Sequence, residues 1–201
     1  GFGDHIEVPV IASMMEGLSY NSYEIDDLPE RYKTMREKEI EHRRANNIAF
    51  DLSDDQLQEY LDPFYRTYEC ADGRMFYVVC PSHRKHARRC LGALGLYEEL
   101  LAEGLPDVAN LHLPVSEWDA ETAIGVYPLP KKWADIISTK MKLIFLTKSS
   151  SEWGAIFGEN QIPGAPHRTT KEWVNSRHCN DAGIIVEVDD EEFGLMKQPG
   201  P

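Results

Sequence analysis

The sequence predicts an α+β fold: a small domain with a short antiparallel sheet and flanking helices. Three observations carry this. Asp72-Gly73 lies between two alternating apolar runs, 65–70 and 75–80, which is a strong short-range signal for a hairpin. Residues 184–188 are β-branched and mostly apolar, which suits a strand. Residues 131–148 place Trp133, Ile136, Ile137, Met141, Ile144 and Phe145 on one helical stripe. A hairpin and a late strand with helices on one side make an α+β arrangement.

The elements follow in order. Ile6-Glu7-Val8 reads as a short strand, and Pro9 suits the first position of a helix because its missing N–H is not needed there. That helix is expected to bury Val10, Ile11, Met14, Met15 and Leu18. Residues 29–46 are highly charged and predict an exposed helix or mobile segment, with weak support from i,i+4 pairs among Glu37, Glu39, Glu41, Lys38, Arg43 and Arg44. Ser53 with Gln56 caps a short helix to Leu61. After the hairpin comes a helix over 82–102. Residues 104–130 are Pro-rich and aperiodic, an extended connection with a short turn near Glu117. Ser149 with Glu152 and Thr169 with Glu172 are two capping boxes, each opening a short helix. Pro163 and Pro166 fix φ and stiffen the link between them.

Composition narrows the function. Across 201 residues the formal charge is −13, with 34 acidic against 21 basic residues. So acidic a surface disfavours nucleic acid and anionic membranes. No run approaches the roughly 20 apolar residues of a membrane span, and the N-terminus lacks the features of a signal peptide. Cys70, Cys80, Cys90 and Cys179 form no CxxC, so reduced thiols in a cytoplasmic protein are expected.

Several clusters invite a functional reading. Cys80, His83, His86 and Cys90 have a spacing that zinc tolerates, but a helix face carrying Ala87 and Leu94 favours packing over metal. Arg84, Lys85, Arg88 and Arg89 could grip a phosphate, and so could Arg31, Arg36, Arg43 and Arg44; a solvated helix face is the simpler reading. Trp118, Trp133, Trp153 and Trp173 could stack on a base, but Trp133, Trp153 and Trp173 stand at helix starts or on apolar faces, which favours the core. No G-x-S-x-G and no phosphate-binding loop occurs, and no catalytic residue is assigned.

Four stretches, taken in order, resemble the family III CoA-transferases of the CaiB/BaiF type. They are Gly1-Phe2-Gly3-Asp4-His5-Ile6-Glu7-Val8-Pro9-Val10; the YRTYECADGRMFYVVC run from Tyr65, which leads to Cys90-Leu91-Gly92-Ala93-Leu94-Gly95; Glu152-Trp153 with Gln161-Ile162-Pro163-Gly164-Ala165-Pro166; and Thr170-Lys171-Glu172-Trp173 leading to Ala182-Gly183-Ile184-Ile185-Val186-Glu187-Val188. The resemblance is weak over 23–60 and 104–130. It implies the C-terminal half of such an enzyme: residues 1–60 as the edge of a Rossmann-like α/β domain plus a charged connection, and 61–201 as the small α+β domain. It implies coenzyme A as a substrate moiety with no covalently bound cofactor, acyl-CoA and carboxylic acid as partners, and an interlocked homodimer at full length. The family's reactive aspartate forms a mixed anhydride with the acyl group and then a CoA thioester; the resemblance places it before Gly1. The missing initiator methionine and the ending at Gln198-Pro199-Gly200-Pro201 likewise predict a fragment, inactive by itself. An acyl-CoA racemase fragment and a non-catalytic acidic interaction module are the alternatives. The resemblance also sets Val10 and Met14 beside the acyl group. Pro163 and Gly164 either line that pocket or make a rigid corner, with Gly164 permitting close backbone approach.

Overall fold

A computed structural model of the chain describes residues 3, 6–11, 13, 32–49, 51–80, 83–125 and 129–200. The described elements run α1 (Tyr32–Ala45), α2 (Asp54–Gln58), β1 (Tyr65–Glu69), β2 (Met75–Val79), α3 (Arg84–Ala93), α4 (Tyr97–Ala102), a 3-10 turn (Val115–Glu117), α5 (Lys131–Phe145), α6 (Ser150–Glu159), β3 (Gly164–Pro166), α7 (Thr170–Val174), α8 (Arg177–Asp181), β4 (Ile185–Asp190) and β5 (Gly194–Pro199). The class is α+β.

The hairpin forms where the sequence puts it. β1 and β2 pair antiparallel from Tyr65↔Val79 to Glu69↔Met75, and Gly73 turns the chain at φ +71. A positive φ is open to glycine at little steric cost, which is why the turn needs it. The sheet has a third member that periodicity does not reveal. The proline-flanked stretch expected as a link holds β3, antiparallel to β2 with Tyr77↔Ala165. Three residues are too few to show alternation, and Pro166 lacks a donor, so the sequence hides this edge strand.

The late strand does not join that sheet. β4 pairs with β5 in a separate two-stranded sheet, order β4-β5, against β1-β2-β3. Asp190 Oδ1 accepts from the amides of Glu192 and Phe193, both at 2.9 Å, and Gly194 closes the turn at φ +71. The single helix expected over 82–102 is two. Gly95 at φ +72 ends α3, and α4 restarts after Leu96.

One core joins the three-stranded sheet to α3, α4, α5 and α6. Alternation along the strands sends Tyr68, Phe76 and Val78 inward. Tyr68 stacks on Phe145 with centroids 4.9 Å apart, and Phe76 meets Phe157 edge-on at 4.7 Å. Trp153 packs beside Phe145, and its Nε1 donates to the Phe145 carbonyl at 2.9 Å. A buried indole N–H needs such a partner.

The N-terminal stretch departs from expectation. Residues 6–8 have no strand pairing. Residues 10, 11 and 13 are helical, and the Ser13 amide donates to the Pro9 carbonyl at 3.0 Å. Val10 and Ile11 are not buried: each is 74% exposed. A helical stripe is buried only when another element covers it, and no described element covers this one. Met14, Met15 and Leu18 lie outside the described residues, as do Arg31 and most of the edge assigned to a Rossmann-like domain.

Candidate functional site

The turn of the β1–β2 hairpin, β3 and the starts of α6 and α7 converge on one corner. Asp72 Oδ2 accepts from the Ser150 amide at 3.1 Å and the Ser150 hydroxyl at 2.8 Å, and its Oδ1 accepts from the Arg74 amide at 3.3 Å. The Ser150 hydroxyl above all holds the Asp72 carboxyl below the usual carboxylate range. Arg74 then spans to α7. Its Nη1 donates to Glu172 Oε2 at 3.0 Å and to the His167 carbonyl at 2.9 Å, and its Nη2 donates to Glu172 Oε1 at 2.8 Å. Glu172 also completes the capping box with Thr169. Arg74 first, then the Thr169 amide, bring its carboxyl down to about 2.

A cleft of about 200 Å³ opens here, lined by Arg74, Ser150, Ser151, Pro166, Arg168 and Glu172. A second groove, of about 370 Å³, lies between α3 and the end of α6, along Arg89, Gly92, Ala93, Glu159, Asn160 and Gln161. Arg89 Nη1 bridges it to Gln161 Oε1 at 3.0 Å. Neither depression holds a nucleophile paired with a base. Arg74 and Asp72 already have their partners, so the corner fastens elements together.

Gly164 shows why. A Cβ there would stand 2.8 Å from Phe157 Cδ1, 2.9 Å from Phe76 Cε1 and 2.9 Å from the Tyr77 carbonyl oxygen. The missing side chain lets β3 approach β2 and the core. Pro163 is half-buried just before it, and its carbonyl accepts from the Val79 amide at 3.1 Å. Of the four residues singled out for a pocket, Pro163 and Gly164 are thus adjacent in a strand and its approach. Val10 is exposed on the N-terminal turn, and Met14 lies outside the described residues.

The Cys/His cluster is not brought together. Cys80 and Cys90 are buried in the core, and the neighbouring Cys80 thiol, then burial, push the Cys90 thiol up. The rings of His83, the residue before α3, and His86, in its first turn, lie 5.0 Å apart. Burial, then the cations beside it, depress His86. Among the described residues no three His, Cys, Asp or Glu side chains converge on a metal position. Burial raises the Cys70 thiol to about 11, so neither Cys70 nor Cys90 is poised as a thiolate.

The basic run on α3 is not the solvated face that was expected. Arg84 and Arg88 both bind Asp107, whose side chain is only 2% exposed. Tyr97 donates to Asp107 Oδ2 at 3.2 Å, and the Ile124 amide donates to Oδ1 at 3.4 Å. This network clamps the aperiodic 104–125 segment onto α3 and α4, and spacing cannot reveal it because the partners are far apart in sequence. Trp133 and Trp153 are buried as expected. Trp173 is not: it is 39% exposed, its ring 5.6 Å from that of His178. Five-residue α7 packs chiefly on α8 and has no core face to offer.

Two further ionisable groups, the half-buried Asp62 and the buried Arg66, escaped the sequence reading. Asp62 precedes β1, accepts from the Phe64 amide at 2.7 Å, and is raised by burial to about 6. Arg66, on β1, is 3% exposed. Alternation with Tyr68 was the available signal, because residues i and i+2 of a strand share a face.

A family model described as CoA-transferase family III matches residues 1–201. The chain is 73% identical over 201 residues to the "CoA-transferase/lyase DddD" of Marinomonas sp. (strain MWYL1), covering 100% of this chain and 24% of that protein. It therefore spans about a quarter of the length of that curated relative. Among solved structures, Rv3272 from M. tuberculosis aligns at 14% identity with a TM-score of 0.48, over 84% of this chain and 45% of that one. A point mutant of the same protein aligns with a TM-score of 0.44 at 14% identity, over 84% and 44%.

Proposed function

This chain belongs to CoA-transferase family III, and we propose that it is the C-terminal part of an enzyme that moves CoA from an acyl-CoA thioester to a carboxylic acid. The observation that supports this reading is the family match over the whole chain together with 73% identity to a CoA-transferase/lyase.

The reaction proposed is covalent. An aspartate carboxylate outside these residues attacks the thioester carbonyl carbon, the C–S bond breaks, and CoA departs as thiolate. The mixed anhydride is then attacked by the thiolate at the aspartyl carbonyl. That step releases the donor acid and leaves an aspartyl-CoA thioester. The acceptor carboxylate reverses the sequence to form its own CoA ester. Each step replaces one hard acyl exchange by an easier one. A lyase step fits the same reading, because a thioester acidifies the α-protons of its acyl chain for removal by a base.

Residues 1–201 serve as scaffold and wall. Val10 and Met14 border the acyl chain in this proposal, and Pro163-Gly164 supports the wall from behind. The homodimer interlocks through both domains and works in the cytoplasm. The racemase and the non-catalytic alternatives draw no support from the relative's name.

The test compares the 201-residue chain with the longer polypeptide that carries it, each incubated with acyl-CoA donors and acids. Turnover is expected only from the longer form. Mass spectrometry of that form is expected to find the CoA adduct on an aspartate outside residues 1–201. Turnover by the chain alone overturns the proposal.

A further inference from the structure

The groove between α3 and α6 is rich in open hydrogen-bond acceptors. One wall is Arg89, Gly92 and Ala93; the other is Glu159, the last residue of α6, with Asn160 and Gln161 beyond it. Both helices end here, and most of their terminal carbonyls are satisfied. Cys90, Leu91 and Gly92 accept from the amides of Leu94, Leu96 and Gly95, while Ile156, Phe157 and Gly158 accept from those of Asn160, Ile162 and Gln161. The Ala93 and Glu159 carbonyls remain, one on each wall, and no donor among the described residues reaches either. The Glu159 carboxylate has no ion pair among the described residues. Asn160 Nδ2 donates to the Ile156 carbonyl at 2.8 Å, which leaves its Oδ1 open.

Two helix C-termini bring their negative dipole ends to the same place. Acceptors arriving from two walls suit a tetrahedral ammonium, with its three rotatable N–H donors, better than a planar guanidinium. Arg89 decides what stands beside that ammonium. Its Nη1 donates to Gln161 Oε1 at 3.0 Å, and its other N–H groups have no acceptor among the described residues. These donors call for an acceptor on the ligand. A carboxylate there would face Glu159 and the two negative helix ends, whereas a neutral amide carbonyl would not. An ammonium one carbon away from an amide carbonyl is the amino terminus of a polypeptide.

Gly92 leaves room for such a backbone. It lies within α3 with no positive φ to require it, and a Cβ there would meet nothing within 4 Å. Glycine inside a helix is less favourable than alanine, so the fold does not account for it. The groove's volume of about 370 Å³ falls in the range of ligand sites, roughly 300–1,000 Å³.

We propose that this groove captures the amino terminus of a polypeptide partner. Glu159 and the Ala93 and Glu159 carbonyls hold the ammonium, and Arg89 holds the first peptide carbonyl. The site is separate from the Asp72–Arg74–Glu172 corner and does not rest on the proposed transfer reaction.

The probe is glycyl-glycinamide, titrated into the 201-residue chain and followed by amide NMR shifts. Saturable shifts are expected at Gly92, Ala93, Asn160 and Gln161. The N-acetylated probe, which lacks the ammonium, is expected to give none at the same concentrations. Gly92→Leu fills the groove and abolishes binding with Tm no lower than wild type. Glu159→Gln weakens binding by about three- to tenfold; should Gly92→Leu fail to fold, this variant carries the test. Absence of saturable shifts in the wild type, equal shifts from the acetylated probe, or undiminished binding by a folded Gly92→Leu or by Glu159→Gln overturns the site.

Discussion

Asp62 and Asp72 are ten residues apart, and their environments drive them in opposite directions. Asp72 is held ionised by the Ser150 hydroxyl and nearby amides, so it favours the fold above its unfolded pKa and loses that benefit as pH falls through its lowered value. Asp62 has one amide partner and is half-buried, and the loss of solvation raises it to about 6 from an ordinary value of 3.8. The folded state then binds the proton more tightly than the unfolded state. Asp62 therefore opposes folding fully above pH 6, and the penalty fades as pH falls from 6 to 3.8. Asp62→Asn keeps an acceptor for the Phe64 amide and removes the charge. It is expected to stabilise the chain at pH 7 by on the order of 2 kcal/mol. It should also flatten the stability profile between pH 4 and 6, as measured by urea unfolding. Neither environment is legible from the residue type. The Asp72-Gly73 turn could be read from the sequence; the bond to Ser150, 78 residues away, could not.

At the scale of elements, the local signals proved dependable wherever the chemistry was local. The capping boxes at Ser53, Ser149 and Thr169 all form, because a hydroxyl and a carboxylate or amide three residues apart need only each other. The hairpin forms for the same reason. β3 and β5 went unread because pairing, rather than periodicity, creates them. Gly164 tests this directly. Gly164→Ala would force a methyl group into Phe76, Phe157 and the Tyr77 carbonyl. The expected cost is about 1–3 kcal/mol, with loss of amide protection at Val79, whose N–H donates to Pro163 next to β3. Protection at Val79 unchanged from wild type would mean that β3 tolerates the methyl group in place.

Across the whole molecule, core and periphery differ sharply. Aromatic side chains from β1, β2, α5 and α6 fill one core. Outside it, Ile6, Val8, Val10 and Ile11 are exposed on the N-terminal stretch, and Phe193 and Leu195 on the β4–β5 hairpin. Exposed apolar groups favour association. The chain is expected to self-associate in a concentration-dependent manner by light scattering, and Val10→Asp with Ile11→Asp to reduce it. A clean monomer at every concentration would show that this surface is inert. No described helix is long and apolar enough to cross a membrane.

The sequence by itself determined the class, the β1–β2 hairpin, the α5 stripe, the three capping boxes and the family. Each depends on neighbours within a few residues, or on the order of segments along the chain. Tertiary structure alone decided that β3 completes the first sheet, that β4 turns away to pair with β5, that Arg84 and Arg88 clamp Asp107, and that Arg66 is buried. The reason is physical: burial and ion pairing are set by what lies across space, and a linear pattern records only which face a residue takes, not what will cover it.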